Sequence, residues 1–126
     1  MILRDNDRGD CRQLKQHLRG LCAVRAVRES LIRIVCQELE AWFLGEPEAL
    51  AEGFRKESLR RIGRRARFRN PDAIPHPASE IARLVPQYQT VSGARALGGH
   101  ITRERNQSQS FRAMIAGIER FASRFS

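Results

Sequence analysis

Leu3-Arg4-Asp5-Asn6-Asp7-Arg8-Gly9-Asp10 opens the chain with a short apolar run that breaks into three acidic residues. Carboxylates this close together repel one another, and a fold keeps them on one turn chiefly where they hold a divalent cation or cap a helix. Both roles stay open on spacing alone. Met1 to Arg4 can supply the end of a strand, and Asp10 stands where a helix N-cap would. Cys11, Leu14, Leu18, Leu21 and Cys22 then recur at helical spacing, opposite a face of Arg12, Lys15, Gln16 and Arg19. After a polar approach, Leu31-Ile32-Arg33-Ile34-Val35-Cys36 is β-branched and almost wholly apolar, as a buried strand is. Strand, helix and strand make one βαβ unit, with a right-handed crossover and both carboxyl ends on the same edge.

Beyond that unit the spacing is helical or broken. Gln37 to Leu44 reads as a short helix ended by Gly45, and Pro47 is placed to start another that runs to about Phe54. Ser58 to Arg69 carries six arginines around Leu59, Ile62 and Phe68 and fits a frayed helix or a loop. Asn70 to Pro77 holds three prolines, which remove donors and push their predecessors into extended backbone, so it cannot be regular structure. Ser79 to Val85 is a short helix halted by Pro86. Val91 to Ile101 is a turn or short helix between glycine hinges. Ser108 or Ser110 caps a last helix in which Phe111, Met114, Ile115, Ile118 and Phe121 recur at three and four.

The 126 residues suit one domain, and the apolar and charged fractions of 41% and 29% are those of a globular chain. A formal charge of +9 suggests an anionic partner such as nucleic acid. The excess is uneven: residues 1–63 hold 12 Lys+Arg against 10 Asp+Glu, whereas residues 64–126 hold 11 against 4. Only Lys15 and Lys56 are lysines, so the arginine bias also fits the coding composition of a genome. Cys11, Cys22 and Cys36 lack paired spacing and read as buried, reduced thiols of a cytoplasmic protein. No apolar run approaches the roughly 18 residues that a membrane span needs.

Ligands of an open parallel sheet bind at the carboxyl ends of its strands. Asp5 and Asp7 leave the first strand there, and Glu38 and Glu40 follow the second. Two residues apart on a helix, Glu38 and Glu40 diverge, and Glu38 is the nearer to the strand end. Asp5, Asp7 and Glu38 are therefore the candidate metal ligands and catalytic residues, with Mg2+ as the ion such oxygen donors suit. The competing readings are a capping turn for the aspartates and a solvated helix face for the glutamates. Arg60, Arg61, Arg64, Arg65, Arg95 and Arg112 are the candidate contacts to a nucleic acid backbone. Asn106, Ser108 and Ser110 fit either phosphate contact at a helix N-terminus or simple capping. His76 and His100 have no second ligand at metal spacing and read as surface histidines.

Arg4-Asp5-Asn6-Asp7-Arg8-Gly9-Asp10-Cys11-Arg12-Gln13-Leu14-Lys15, Cys36-Gln37-Glu38-Leu39-Glu40-Ala41-Trp42-Phe43-Leu44-Gly45, Phe68-Arg69-Asn70-Pro71-Asp72, Ser92-Gly93-Ala94-Arg95 and Asn106-Gln107-Ser108-Gln109-Ser110-Phe111 occur in that order over nearly the whole chain. Together they resemble an uncharacterised bacterial Toprim-like family, the domain of unknown function DUF4276. The resemblance implies an α/β fold over residues 1–126: a truncated Toprim-like, Rossmann-type parallel sheet with a mostly helical C-terminal half. It maps the Asp-x-Asp of Toprim domains onto Asp5 and Asp7, and implies Mg2+-dependent nuclease chemistry, with an ATPase partner in genome defence. The glutamate that completes such a site, and the strands that carry it, are expected upstream of Met1.

The leading expectation is thus Mg2+-dependent phosphodiester chemistry on nucleic acid in the full-length form, with inactivity of a truncated form left open. The alternative is a non-catalytic module that binds nucleic acid or a protein. Nucleotide binding ranks last, for want of a glycine-rich phosphate loop after the first strand. An exposed sheet edge would favour homo-oligomers.

Overall fold

The computed structural model describes residues 2–5, 10–24, 31–35 and 38–125. Its N-terminal part holds β1 (Ile2–Asp5), α1 (Cys11–Val24) and β2 (Ile32–Val35). The two strands pair in parallel, with Ile2 opposite Ile32 and Asp5 opposite Val35. Asp10 caps α1 as its position predicts, its Oδ1 accepting from the amides of Arg12 and Gln13 at 2.8 and 3.0 Å. Leu18, Leu31 and Ile32 are buried, and both α1 and the last helix pack against β2.

The expected Rossmann-type, Toprim-like parallel sheet is not formed by the described residues, which are mostly helical. Two strands of four residues are the whole of their sheet. Apart from Leu31–Val35, the apolar residues recur at three and four or are interrupted by proline and glycine, so they pack as helices and turns instead of adding strands.

The helical part runs through α2 (Glu40–Leu44), α3 (Pro47–Phe54), α4 (Pro77–Leu84), α5 (Thr90–Gly98) and α6 (Gln109–Ser123). Pro47 and Pro77 each occupy the first turn of a helix, where the missing amide costs nothing. Arg55 stops α3 in the left-handed conformation, at φ 52°. Between α3 and α4 the basic stretch is neither a frayed α-helix nor a loop: it forms 3-10 helices at Glu57–Arg64 and Ala66–Phe68, then a 3-10 turn at Pro71–Ala73. At three residues per turn, Leu59 and Ile62 lie on one line and are both buried. The glycines expected to hinge residues 91–101 lie within α5 or at its end, and Gly93 faces the Tyr88 ring.

The main core joins Phe43, Leu44, Leu50, Leu59, Ile62, Phe68, Ile74, Ile81, Val85 and Leu97, so every helix from α2 to α5 contributes to it. A second cluster sets Trp42 edge-on to Phe111, with ring centroids 5.3 Å apart, beside Met114. Cys11 and Cys22 are half-buried, and Cys36 lies outside the described residues. No helix among the described residues is long and apolar enough to cross a membrane.

Gly45 joins α2 to α3 with ordinary helical dihedrals, so its role is close approach and not conformational freedom. A Cβ there would stand 2.5 Å from Asn106 Oδ1 and 3.0 Å from the Ser108 amide nitrogen. Gly45→Ala is expected to destabilise the protein by about 1–3 kcal/mol, the usual cost of overpacking, read as a lower urea midpoint at unchanged slope.

Candidate functional site

Asp5 is the last residue of β1, opposite Val35, so it leaves the sheet at the edge from which the chain runs on toward Glu38. Asp7 lies outside the described residues. Glu38 is half-buried, and its Oε2 accepts from the Ala78 amide at 3.0 Å, which caps the first turn of α4. Glu40 is buried, and its Oε1 accepts from the Tyr88 hydroxyl at 3.0 Å. Glu38 and Glu40 reach different partners, the start of α4 and the Tyr88 hydroxyl. Both charges act on Tyr88: burial first, then the Glu40 carboxylate and last Glu38, push its phenol far above the ordinary range. Among the described residues no group of three or more His, Cys, Asp or Glu is placed to hold a metal.

Three of the stretches quoted above, those around Trp42, Asp72 and Asn106, converge on one polar knot. Asn106 Nδ2 donates to the Trp42 carbonyl at 2.8 Å, and the Gln107 amide donates to the Gly45 carbonyl at 2.7 Å. Trp42 Nε1 donates to Ser110 Oγ at 2.6 Å. Asp72, carried in by Pro71 on its 3-10 turn, accepts from Ser108 Oγ at 2.6 Å and from the Ser110 amide at 3.0 Å. Ser108 in turn accepts from the Phe111 amide as the N-cap of α6. A carboxylate of the chain itself thus occupies the helix end where a phosphate was one expectation, and Asn106, Ser108 and Ser110 act as caps and ties. Arg112 is drawn in too, its Nε donating to the Asn106 carbonyl at 2.6 Å.

An ion network around one buried carboxylate went unread in the sequence. Glu46 has no solvent exposure. Its Oε1 accepts from the Thr102 amide at 2.7 Å, and its Oε2 from Arg105 Nη2 at 3.0 Å. Arg105 also binds Glu52 at 3.1 Å and the His100 carbonyl at 2.9 Å. His100 Nδ1 stands 3.3 Å from the second oxygen of Glu52. The Arg105 hydrogen bond, aided by the Arg105 and His100 charges, holds the Glu52 carboxyl below its ordinary range against its desolvation. Nothing local announces this: the partners stand more than fifty residues apart in the chain.

The arginines divide by what they touch. Arg60 is taken up by Glu57, at 2.9 Å, and lies 3.8 Å from Glu52. Arg67 pairs with Glu80 and lies over the Phe68 ring. Arg61, Arg64, Arg65 and Arg95 are exposed, and among the described residues no carboxylate lies within 4 Å of them. Two surface recesses border this region. One of 520 Å3 is lined by Glu57, Ser58, Arg60 and Arg61, and one of 260 Å3 lies by Arg67, Asn70 and Glu80.

The fold and these surfaces define a largely helical domain with a small parallel βαβ start, a buried polar knot and an arginine-bearing flank. The chain belongs to the family described as a domain of unknown function, DUF4276, whose profile matches residues 2–119. No curated protein and no solved structure matches it.

Tyr88 is the one tyrosine in the sequence, so tyrosinate absorbance reports on it alone. The folded protein is expected to develop that absorbance well above pH 10, and Glu40→Gln to bring the transition part of the way down while burial keeps the rest. In the unfolded chain the phenol ionises near pH 10, so above that pH the native state holds the extra proton. The stability this confers is complete below about pH 10 and is lost as pH rises toward the native pKa.

Proposed function

We propose that this protein binds nucleic acid through the arginine-bearing face of its 3-10 segment. One observation carries the reading: Arg61, Arg64 and Arg65 stand exposed without an acidic partner among the described residues, while the neighbouring Arg60 and Arg67 are neutralised. Guanidinium groups left in this state suit phosphate oxygens, and each phosphate neutralised releases counterions. Anisotropy titrations of a labelled duplex between 50 and 200 mM salt are expected to show log K falling linearly with log salt, with a slope of about −3 for three such contacts. Absent or salt-insensitive binding would overturn the proposal.

A second reading, Mg2+-dependent cleavage of the bound phosphodiester, is favoured by the parallel pairing that sets Asp5 at the carboxyl edge of β1. Asp5, Asp7 and Glu38 are the residues that would hold the ion. Glu38 has one carboxylate oxygen engaged by Ala78 and offers the other. Bound there, Mg2+ would supply charge on the phosphodiester and an activated water. On this reading Asp5→Ala and Asp7→Ala abolish Mg2+-dependent cleavage while oligonucleotide binding persists; unchanged Mg2+ binding and cleavage in both variants would eliminate it.

A further inference from the structure

The 3-10 helix Glu57–Arg64 presents three lines of side chains, because residues three apart eclipse at three residues per turn. Each line has a distinct environment. Leu59 and Ile62 are buried in the main core. Glu57 and Arg60 are joined through two hydrogen bonds, at 2.9 and 3.2 Å, and Gly63 ends that line against Pro47. Ser58, Arg61 and Arg64 form the third line, and all three are exposed.

Arg61 and Arg64 are therefore like charges stacked one turn apart, roughly 6 Å along the helix axis. Their repulsion is not relieved from within: among the described residues neither side chain has an ion pair or hydrogen bond. The contrast with Arg60, one residue away and held by its own Glu57, shows that the segment can neutralise an arginine at this spacing. Beside the line, Ser58 and Arg61 share the 520 Å3 recess, a volume in the range of small-ligand clefts.

We propose that the Ser58–Arg61–Arg64 line grips two successive phosphates of a single nucleic acid strand, with the recess that Ser58 and Arg61 line taking the nucleoside next to the phosphate held by Arg61. This rests on the nucleic acid reading above and names the contact. The axial rise of roughly 6 Å between the two positions is comparable to the separation of neighbouring phosphates along one strand, and the line is set by the burial of Leu59 and Ile62 behind it. Contact with the backbone predicts little dependence on base sequence.

The test is binding of a labelled single-stranded oligothymidylate by the wild-type protein and three variants, each at several salt concentrations. Arg61→Ala/Arg64→Ala is expected to bind about tenfold more weakly at 0.1 M salt, with a salt slope shallower by about 1.4, two single-strand phosphate contacts. Arg61→Lys/Arg64→Lys should keep the wild-type slope, and Arg103→Ala, which removes an arginine paired with Glu119 outside the line and the recess, should change it less than the double alanine variant does. Thermal melting of all three should match wild type, since the substituted side chains are exposed. Inorganic phosphate should displace the strand only at far higher phosphate concentration than unlabelled oligonucleotide does. Failure of wild type to bind would overturn both this proposal and the nucleic acid reading. Wild-type binding with an unaltered slope in the double alanine variant would overturn the line alone, as would an equal loss in Arg103→Ala or displacement by inorganic phosphate as effective as by oligonucleotide.

Discussion

The turn between α2 and α3 buries a backbone corner and a carboxylate together, and neither can stay buried without partners. Gly45 and Glu46 sit there with the Trp42 carbonyl close by, and the donors to the Trp42 and Gly45 carbonyls and to the Glu46 carboxylate come from residues 102–107. Asn106 and Gln107 satisfy the carbonyls; Thr102 and Arg105 satisfy the carboxylate. Removing one side of such an arrangement leaves a buried charge or carbonyl unpaired, which costs several times what the bond adds when made. The placement of α6 follows, because the segment that answers Glu46 runs directly into its N-cap. Asp72 closes the arrangement from a third direction by accepting from the Ser108 hydroxyl and the Ser110 amide at the start of α6.

That constraint also shapes the surface. Glu38, Glu40, Glu46 and Asp72 are turned inward, onto amides, a phenol and hydroxyls. Glu52, Glu57 and Glu80 are engaged by particular cations. Acidic groups so engaged do little to offset arginines elsewhere. The flank of the 3-10 segment is consequently more positive than composition alone suggests, which is the physical basis for assigning it an anionic partner.

Some of this was legible in the residues. The Asp10 cap, the amphipathic α1, the apolar strand before Cys36, Pro47 as the start of α3 and the Ser108 cap all follow from local propensity and spacing. The extension to a Rossmann-type sheet did not hold, because a βαβ pattern of two short strands says nothing about further strands. The 3-10 geometry was hidden because the two buried residues, Leu59 and Ile62, stand three apart, a spacing that fits a period of three and one of 3.6 alike. Among the site candidates, Arg60 and Arg112 looked equivalent to Arg61 and Arg64. Only the three-dimensional partners, Glu57 and the Asn106 carbonyl, separate them.

By itself the sequence determined the family, the basic balance, the ends of several helices and the motifs that matter, since these rest on residue type and near-neighbour spacing. The tertiary structure decided what those motifs do. Asn106, Ser108, Ser110 and Asp72 are ties of a buried knot, and Glu46 and Arg105 are its ionic centre. The reason is distance: these ties span 36 to 68 residues of the chain. A buried polar group is read correctly only once the group that satisfies it is in view.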